Sequence, residues 1–280
     1  MIRLASGSWA AALLAGQGAA FASLTCGGRD VLAPIPAGAD PNAGFHGAFL
    51  MAPWTNRLGG GRIVVGGVEY RMPINRPAEG NALHGLLRDR AWTVAAQQPD
   101  RAVLSCALDH APFRCAARLE VALSAAGLAL DLTVRNTGDA PTPIGLGWHP
   151  WFARPAGTRL DATATTAFGR DAGGIATAPA PSGGLHGGDA ALDGHDTHFA
   201  GWDGAATIAW PDGTGFVLTA RGAWARNLQV YAPKGGGVLC VEPVSHVPDA
   251  ANRADNAAHG AMPALAPGAE ITASLTLHRA

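Results

Sequence analysis

Two segments place an ionisable side chain where the surrounding pattern has little use for one. In GWHPWFARP, His149 lies between Trp148 and Trp151 and is followed by a proline that fixes the backbone after it. In VLCVEPVSHVPDAANR, Glu242 follows the apolar run Leu239, Cys240 and Val241 and precedes Pro243. A carboxylate in such a place is costly unless it is paired or its pKa is raised. APWTNRLGGG carries Asn56 and Arg57 just before a glycine turn, and the arginine has a fixed fork of donors for a hydroxyl or a carboxylate. EGNALHGLLRDRAW carries His84, and HDTHFAGWDG carries Asp196. Each residue taken singly also has a structural reading as a turn arginine, a core histidine or a loop aspartate. Together they suggest a histidine acid and a glutamate base in a site with an arginine and aromatic walls. Trp148 and Trp151 would present flat apolar faces to the C–H surface of a sugar. Neither GxSxG nor GxxxxGK[ST] occurs, so the set fits proton transfer better than nucleophilic catalysis.

The elements that must position these groups are strands. In LALDLTVRN, Leu128, Leu130, Leu132 and Val134 point one way and Asp131, Thr133 and Arg135 the other; RLEVAL repeats the pattern with Leu119, Val121 and Leu123. That period of two belongs to half-buried strands. GRIVVGGVEYRM, AATIAW, GFVLTA, NLQVYA, GVLCVEPV and EITASLTLH are further strand candidates, mostly separated by turns such as NTGD, PDGTG and PKGGG. The alanine-rich stretches 8–25 and 249–264 have helix-favouring composition that glycine and proline interrupt. Residues 171–194, rich in glycine and alanine, read as a long surface loop. The expectation is an all-β, predominantly antiparallel sandwich, forming a single domain over residues 1–280.

With 48% hydrophobic and 15% charged residues, the chain has ample material for a core. A formal net charge of −1 gives no reason to expect nucleic acid or an anionic membrane as partner. The four cysteines contain no CxxC pair, which argues against a structural zinc site. Cys106 and Cys115 would sit opposite each other if their strands form a hairpin across DHAP, and are expected to be reduced, buried thiols. The N-terminal residues carry weak signal-peptide features but also read as two strands joined by a glycine turn. No run is long enough to span a bilayer, and a cytoplasmic protein is expected.

In the order NRLGGGRIVVGGVEYRMPIN, NALHG, GLGWHPWF, DTHF, NLQVYAP and CVEPVSHVPDAANR, the segments resemble the aldose 1-epimerases, or galactose mutarotases, over roughly residues 20–278. The resemblance implies a large two-layer sandwich called a supersandwich, and interconversion of the α and β anomers of a free hexose such as galactose or glucose. It implies His149 as the acid on the ring oxygen and Glu242 as the base on the anomeric hydroxyl, with the glutamate the more acidic of the two. Arg57, His84 and Asp196 match sugar-binding positions, with Asn56 and Trp148 beside them. No metal or cofactor is implied; the partner is a monosaccharide, and the protein is expected to be a monomer or homodimer. Two alternatives stay open: a mutarotase of a phosphorylated or sulfonated sugar, with Arg76, Arg88, Arg154 and Lys234 as possible anion contacts, or a non-catalytic sugar-binding protein on the same scaffold.

Overall fold

The period-two runs form strands with their apolar side turned inward. A computed structural model describes residues 1–280. In Gly127–Asn136, Leu128, Leu130, Leu132 and Val134 are buried while Asp131 and Arg135 are exposed; Phe113–Leu123 buries Leu119, Val121 and Leu123 in the same way. These two strands pair antiparallel within a nine-stranded sheet. Its order runs Thr93–Gln97, Arg101–His110, Phe113–Leu123, Gly127–Asn136, Glu270–Arg279, Gly215–Gly222, Ala205–Ala209, Arg159–Ala162 and Leu185–Gly187.

A second antiparallel sheet has twelve strands. Its main path runs Ile2–Ser6, Trp9–Leu14, Ala20–Cys26, Ala48–Met51, Gly147–Pro150, Gly237–Val244, Asn227–Ala232, His195–Ala200, Thr166–Arg170 and Ala176–Pro181. The inner faces of both sheets contribute to one core cluster of 63 buried residues, from Ile2 to Leu277. The N-terminal residues with signal-like composition form the first three strands on this path, with Ile2, Leu4, Trp9, Leu13, Phe21 and Leu24 buried in that core. The architecture is the all-β antiparallel sandwich expected from the pattern.

Three local expectations are corrected. Residues 171–194 are not one long loop: they hold the strands Ala176–Pro181 and Leu185–Gly187 and the short helix Asp189–Leu192. Prolines and small residues suit an edge strand, and Ala176–Pro181 lies at the sheet edge. The hairpin around Ala111 and Pro112 forms, but its register sets Cys106 against Ala117 and Cys115 against Leu108. The two thiols are therefore diagonal neighbours, and all four cysteines are free and buried. Lastly, Trp148 lies wholly within the core. Its ring meets Phe21 and Phe152 edge-on at 6.1 Å each. Successive strand residues face opposite ways, so Trp148 and His149 cannot both face one cleft.

Candidate active site

Adjacent strands of the twelve-stranded sheet lay out the site as a row. Residues directly paired across antiparallel strands share a face. Phe49 pairs with His149, Glu242 with Gln229, and Gln229 with His198. Gly147 pairs with Val244, which brings His149 level with Glu242 two residues further along. A β-carbon on Gly147 would come within 2.5 Å of Met51 Cε, so glycine lets these strands approach at the point that aligns the row. A second row, Asp196, Tyr231 and Cys240, runs alongside.

Above the row opens a cleft of about 810 Å³. Asn56, Arg57, His84, His149, Asp196 and Glu242 all line it, as do Trp151, Gln229 and Tyr231. The structure therefore brings together every expected site residue except Trp148. Trp151, two positions from His149, contributes the aromatic wall instead, with Phe45 at 4.8 Å and Tyr231 at 5.9 Å between ring centroids.

His149 Nε2 stands 3.3 Å from Glu242 Oε1. The imidazole stacks on Phe49 at 4.5 Å, and His84 meets it nearly perpendicular at 5.0 Å. Both members of the pair are buried and both lose their charge to burial. Desolvation takes His149 down to about 3 and pushes Glu242 well above the usual carboxylate range, with the Asp196 charge raising it further. The expected order, with the glutamate the stronger acid, is thus reversed by burial. Burial favours the uncharged form of the pair, neutral imidazole with neutral carboxyl. Moving one proton across the contact converts it to imidazolium and carboxylate without exchange with solvent.

The NRLGG and LHG segments arch over the row. Arg57–Leu58 pairs with Ala82–Leu83, and the His84 N–H donates to the Asn56 carbonyl at 2.9 Å. Asn56 and His84 both have positive φ, 53° and 66°, a conformation uncommon outside glycine. Gly85 also has positive φ, and a β-carbon there would lie 2.1 Å from the Ala52 carbonyl oxygen; the glycine of LHG lets the arch sit down on the sheet. The segment after Glu242 braces the arch from beneath. His246 Nε2 accepts the Thr55 N–H at 3.1 Å, and Asp249 Oδ1 accepts the Gly59 N–H at 2.9 Å. His246 is buried behind the cleft and does not line it.

The remaining polar contacts tie down the sugar-binding candidates. Arg57 donates to Glu79 through Nε at 2.6 Å and Nη2 at 3.0 Å. Asp196 is ion-paired with Arg170 and accepts from Gln229 Nε2 at 2.7 Å; burial raises its pKa even so. Of the basic residues considered for an anionic substrate, Arg76 and Arg88 line the cleft. Arg154 does not: it is buried and paired with Asp189 at 3.1 Å and Asp193 at 3.4 Å. Lys234 also lies outside the lining. Donor atoms of His149, Cys240 and Glu242 fall within 4.8 Å of one another, close enough by distance and type to hold a metal ion, although Cys240 is wholly buried and does not line the cleft.

Gln229, Tyr231, Glu79 and Phe49 were not singled out from the sequence. In NLQVYA the alternation sets Gln229 opposite to the core residues Leu228 and Val230, where a polar residue is ordinary, and its burial shows only in the fold. Glu79 carries no signal either, since a glutamate in an exposed PINRPAEG turn looks like ordinary surface.

A large antiparallel sandwich with a buried histidine–glutamate pair at the floor of a polar, aromatic-walled cleft defines the class, and comparison supplies the family. The aldose 1-epimerase family model matches residues 1–278; the chain belongs to the aldose 1-epimerase family. Among curated relatives, the uncharacterised protein YihR of Escherichia coli K12 is 31% identical over 155 residues, 54% of this chain and 49% of that protein's length. YphB, likewise uncharacterised and from the same organism, is 28% identical over 251 residues, covering 82% of each chain. Among solved structures, an Escherichia coli K12 protein superposes with a TM-score of 0.89 at 23% identity, covering 100% of this chain and 98% of its own. A galactose mutarotase-like protein of Clostridium acetobutylicum gives 0.88 at 18% identity, covering 99% and 94%. The shared fold is that of the galactose mutarotase-like proteins. No helix is long and apolar enough to cross a membrane.

Proposed function

We propose that the protein is a mutarotase that interconverts the α and β anomers of an uncharged aldohexose such as glucose or galactose. The observation that carries the reading is the buried 3.3 Å contact between His149 Nε2 and Glu242 Oε1 beneath a cleft of monosaccharide scale. Opening a pyranose hemiacetal needs a proton removed from the anomeric hydroxyl and one delivered to the ring oxygen. Glu242 takes the first and His149 gives the second. The open aldehyde turns about C1–C2, and closure on its other face returns both protons. Entry of the sugar sets its anomeric hydroxyl against Glu242 and its ring oxygen against His149, which supports the charged form that burial alone disfavours. Arg57, Asn56, His84, Asp196 and Gln229 hold the other hydroxyls, and Trp151 and Phe45 stack on the apolar sugar face.

The test is polarimetry on freshly dissolved α-D-glucose and α-D-galactose. The wild type accelerates the approach to equilibrium rotation. Glu242→Gln and His149→Asn each lower kcat by roughly 10²–10⁴-fold, the range of general acid–base assistance. No acceleration on any neutral aldose sinks this reading and leaves a mutarotase of a phosphorylated or sulfonated sugar, or a sugar-binding protein. Undiminished activity in Glu242→Gln removes that residue as the base.

A further inference from the structure

Four arginines stand in or directly behind the cleft, and three already have a carboxylate. Arg57 is held along one edge of its guanidinium by both oxygens of Glu79, at 2.6 and 3.0 Å. Arg170 is paired with Asp196, and Arg88 lies 3.9 Å from Asp89 while its guanidinium covers the Phe49 ring at 4.1 Å. Arg76 has no carboxylate partner and is exposed at the rim. Of the three pairs, the one with Glu79 is built in the most definite way. Glu79 rides on the turn between Arg71 and Ala82. Asn75 clips that turn to the arch by donating to the Leu83 carbonyl at 3.0 Å and accepting its N–H at 2.7 Å. The Arg76 N–H and the Asn81 carbonyl close its base at 3.1 Å, and the Glu79 N–H donates to the Arg76 carbonyl. Glu79 is ionised, held below the usual carboxylate range by Arg57.

A paired guanidinium edge is what binds a carboxylate, phosphate or sulfonate well. Here Glu79 occupies one such edge of Arg57, and Asn56 Oδ1 accepts from Nη1 at 3.2 Å. The N–H groups left over suit hydroxyl oxygens, and an anion reaching them meets the Glu79 charge beside it.

Resting on the mutarotase reading, we propose that Glu79 is a specificity-determining residue, a charge filter that makes Arg57 a donor for uncharged sugars and turns anionic sugars away. It acts through Arg57, and its signature is discrimination between substrates, which a purely structural role would not move.

The experiment compares anomer exchange of α-D-glucose with that of α-D-glucuronate and α-D-glucose 6-phosphate, for the wild type and Glu79→Gln. The wild type favours glucose. In Glu79→Gln, kcat for glucose stays within about twofold and its KM rises a few-fold. For at least one anion kcat/KM gains about tenfold, the scale of relieving one like-charge contact. Adding Arg76→Ala leaves that gain in place. The filter is overturned if glucose turnover survives and the neutral-to-anion ratio does not change, if the wild type already prefers the anion, or if the gain vanishes with Arg76→Ala. If the wild type turns over no sugar, the mutarotase reading fails by itself. The filter is then judged by the same ratio taken from calorimetric affinities, an unchanged ratio again overturning it.

Discussion

One proton between His149 and Glu242 is the central feature at the scale of residues. The imidazole accepts a second proton only near its lowered value of about 3, and the carboxyl keeps its proton well above the usual carboxylate range. Above about 3, and until the carboxyl ionises, the pair carries one proton in two arrangements. The expected outcome is a kcat/KM for glucose that shows no rise from protonation of His149 between pH 7 and pH 5. A histidine acid with an ordinary pKa of about 6.5 would instead change its protonated fraction about fourfold across that range. A polarimetric pH profile decides, and a clear rise toward pH 5 would mean that the two groups titrate separately.

At the scale of elements, the strand Gly147–Pro150 shows how alternation assigns neighbours to different tasks. Trp148 fills the core between Phe21 and Phe152, whereas Trp151 lines the cleft beside His149 at 4.9 Å. Trp148→Ala should cost about 3–5 kcal/mol of stability, as large-to-small core changes do. Trp151→Ala should cost clearly less and raise KM for glucose several-fold. Urea midpoints and initial rates separate the two effects, and equal midpoints would contradict the assignment. The same strand marks what was legible in the sequence. The strands were readable because their period of two is written in runs such as Leu128 to Val134. His149, Glu242, Arg57, His84 and Asp196 were readable because the motifs recur in family order. The facing of Trp148 was open to the same alternation but was masked by the attraction of two tryptophans flanking a histidine. Glu79 and Tyr231 were not readable, because their partners lie on other segments and nothing local marks them. Nor was the reversed proton affinity of the pair, which comes from burial by both strands together.

For the whole molecule, buried neutral histidines link stability to pH. His246 is folded with a pKa lowered to about 4 by burial, against about 6.5 when unfolded. As pH falls below about 6.5 the unfolded chain gains this proton while the folded chain refuses it until about 4, so stability falls across that window, at up to about 1.4 kcal/mol per pH unit. His246→Gln should weaken the protein at pH 7, because the Thr55 N–H loses its acceptor geometry. Its further loss from pH 7 to 4.5 should be smaller than that of the wild type by about 2 kcal/mol. Urea unfolding at the two pH values tests this, and parallel losses would count against it.

The row from Phe49 through His149 and Glu242 to Gln229 has a temporal consequence. Phe49, His149 and Glu242 come from strands remote in the chain, and the brace beneath the arch joins Thr55 to His246 across 191 positions. Long loops must close before these contacts form, which makes such topologies slow to assemble. During synthesis His149 is made well before its partner Glu242. The contact between His149 and Glu242 needs Gly237–Val244 in its place between Gly147–Pro150 and Asn227–Ala232.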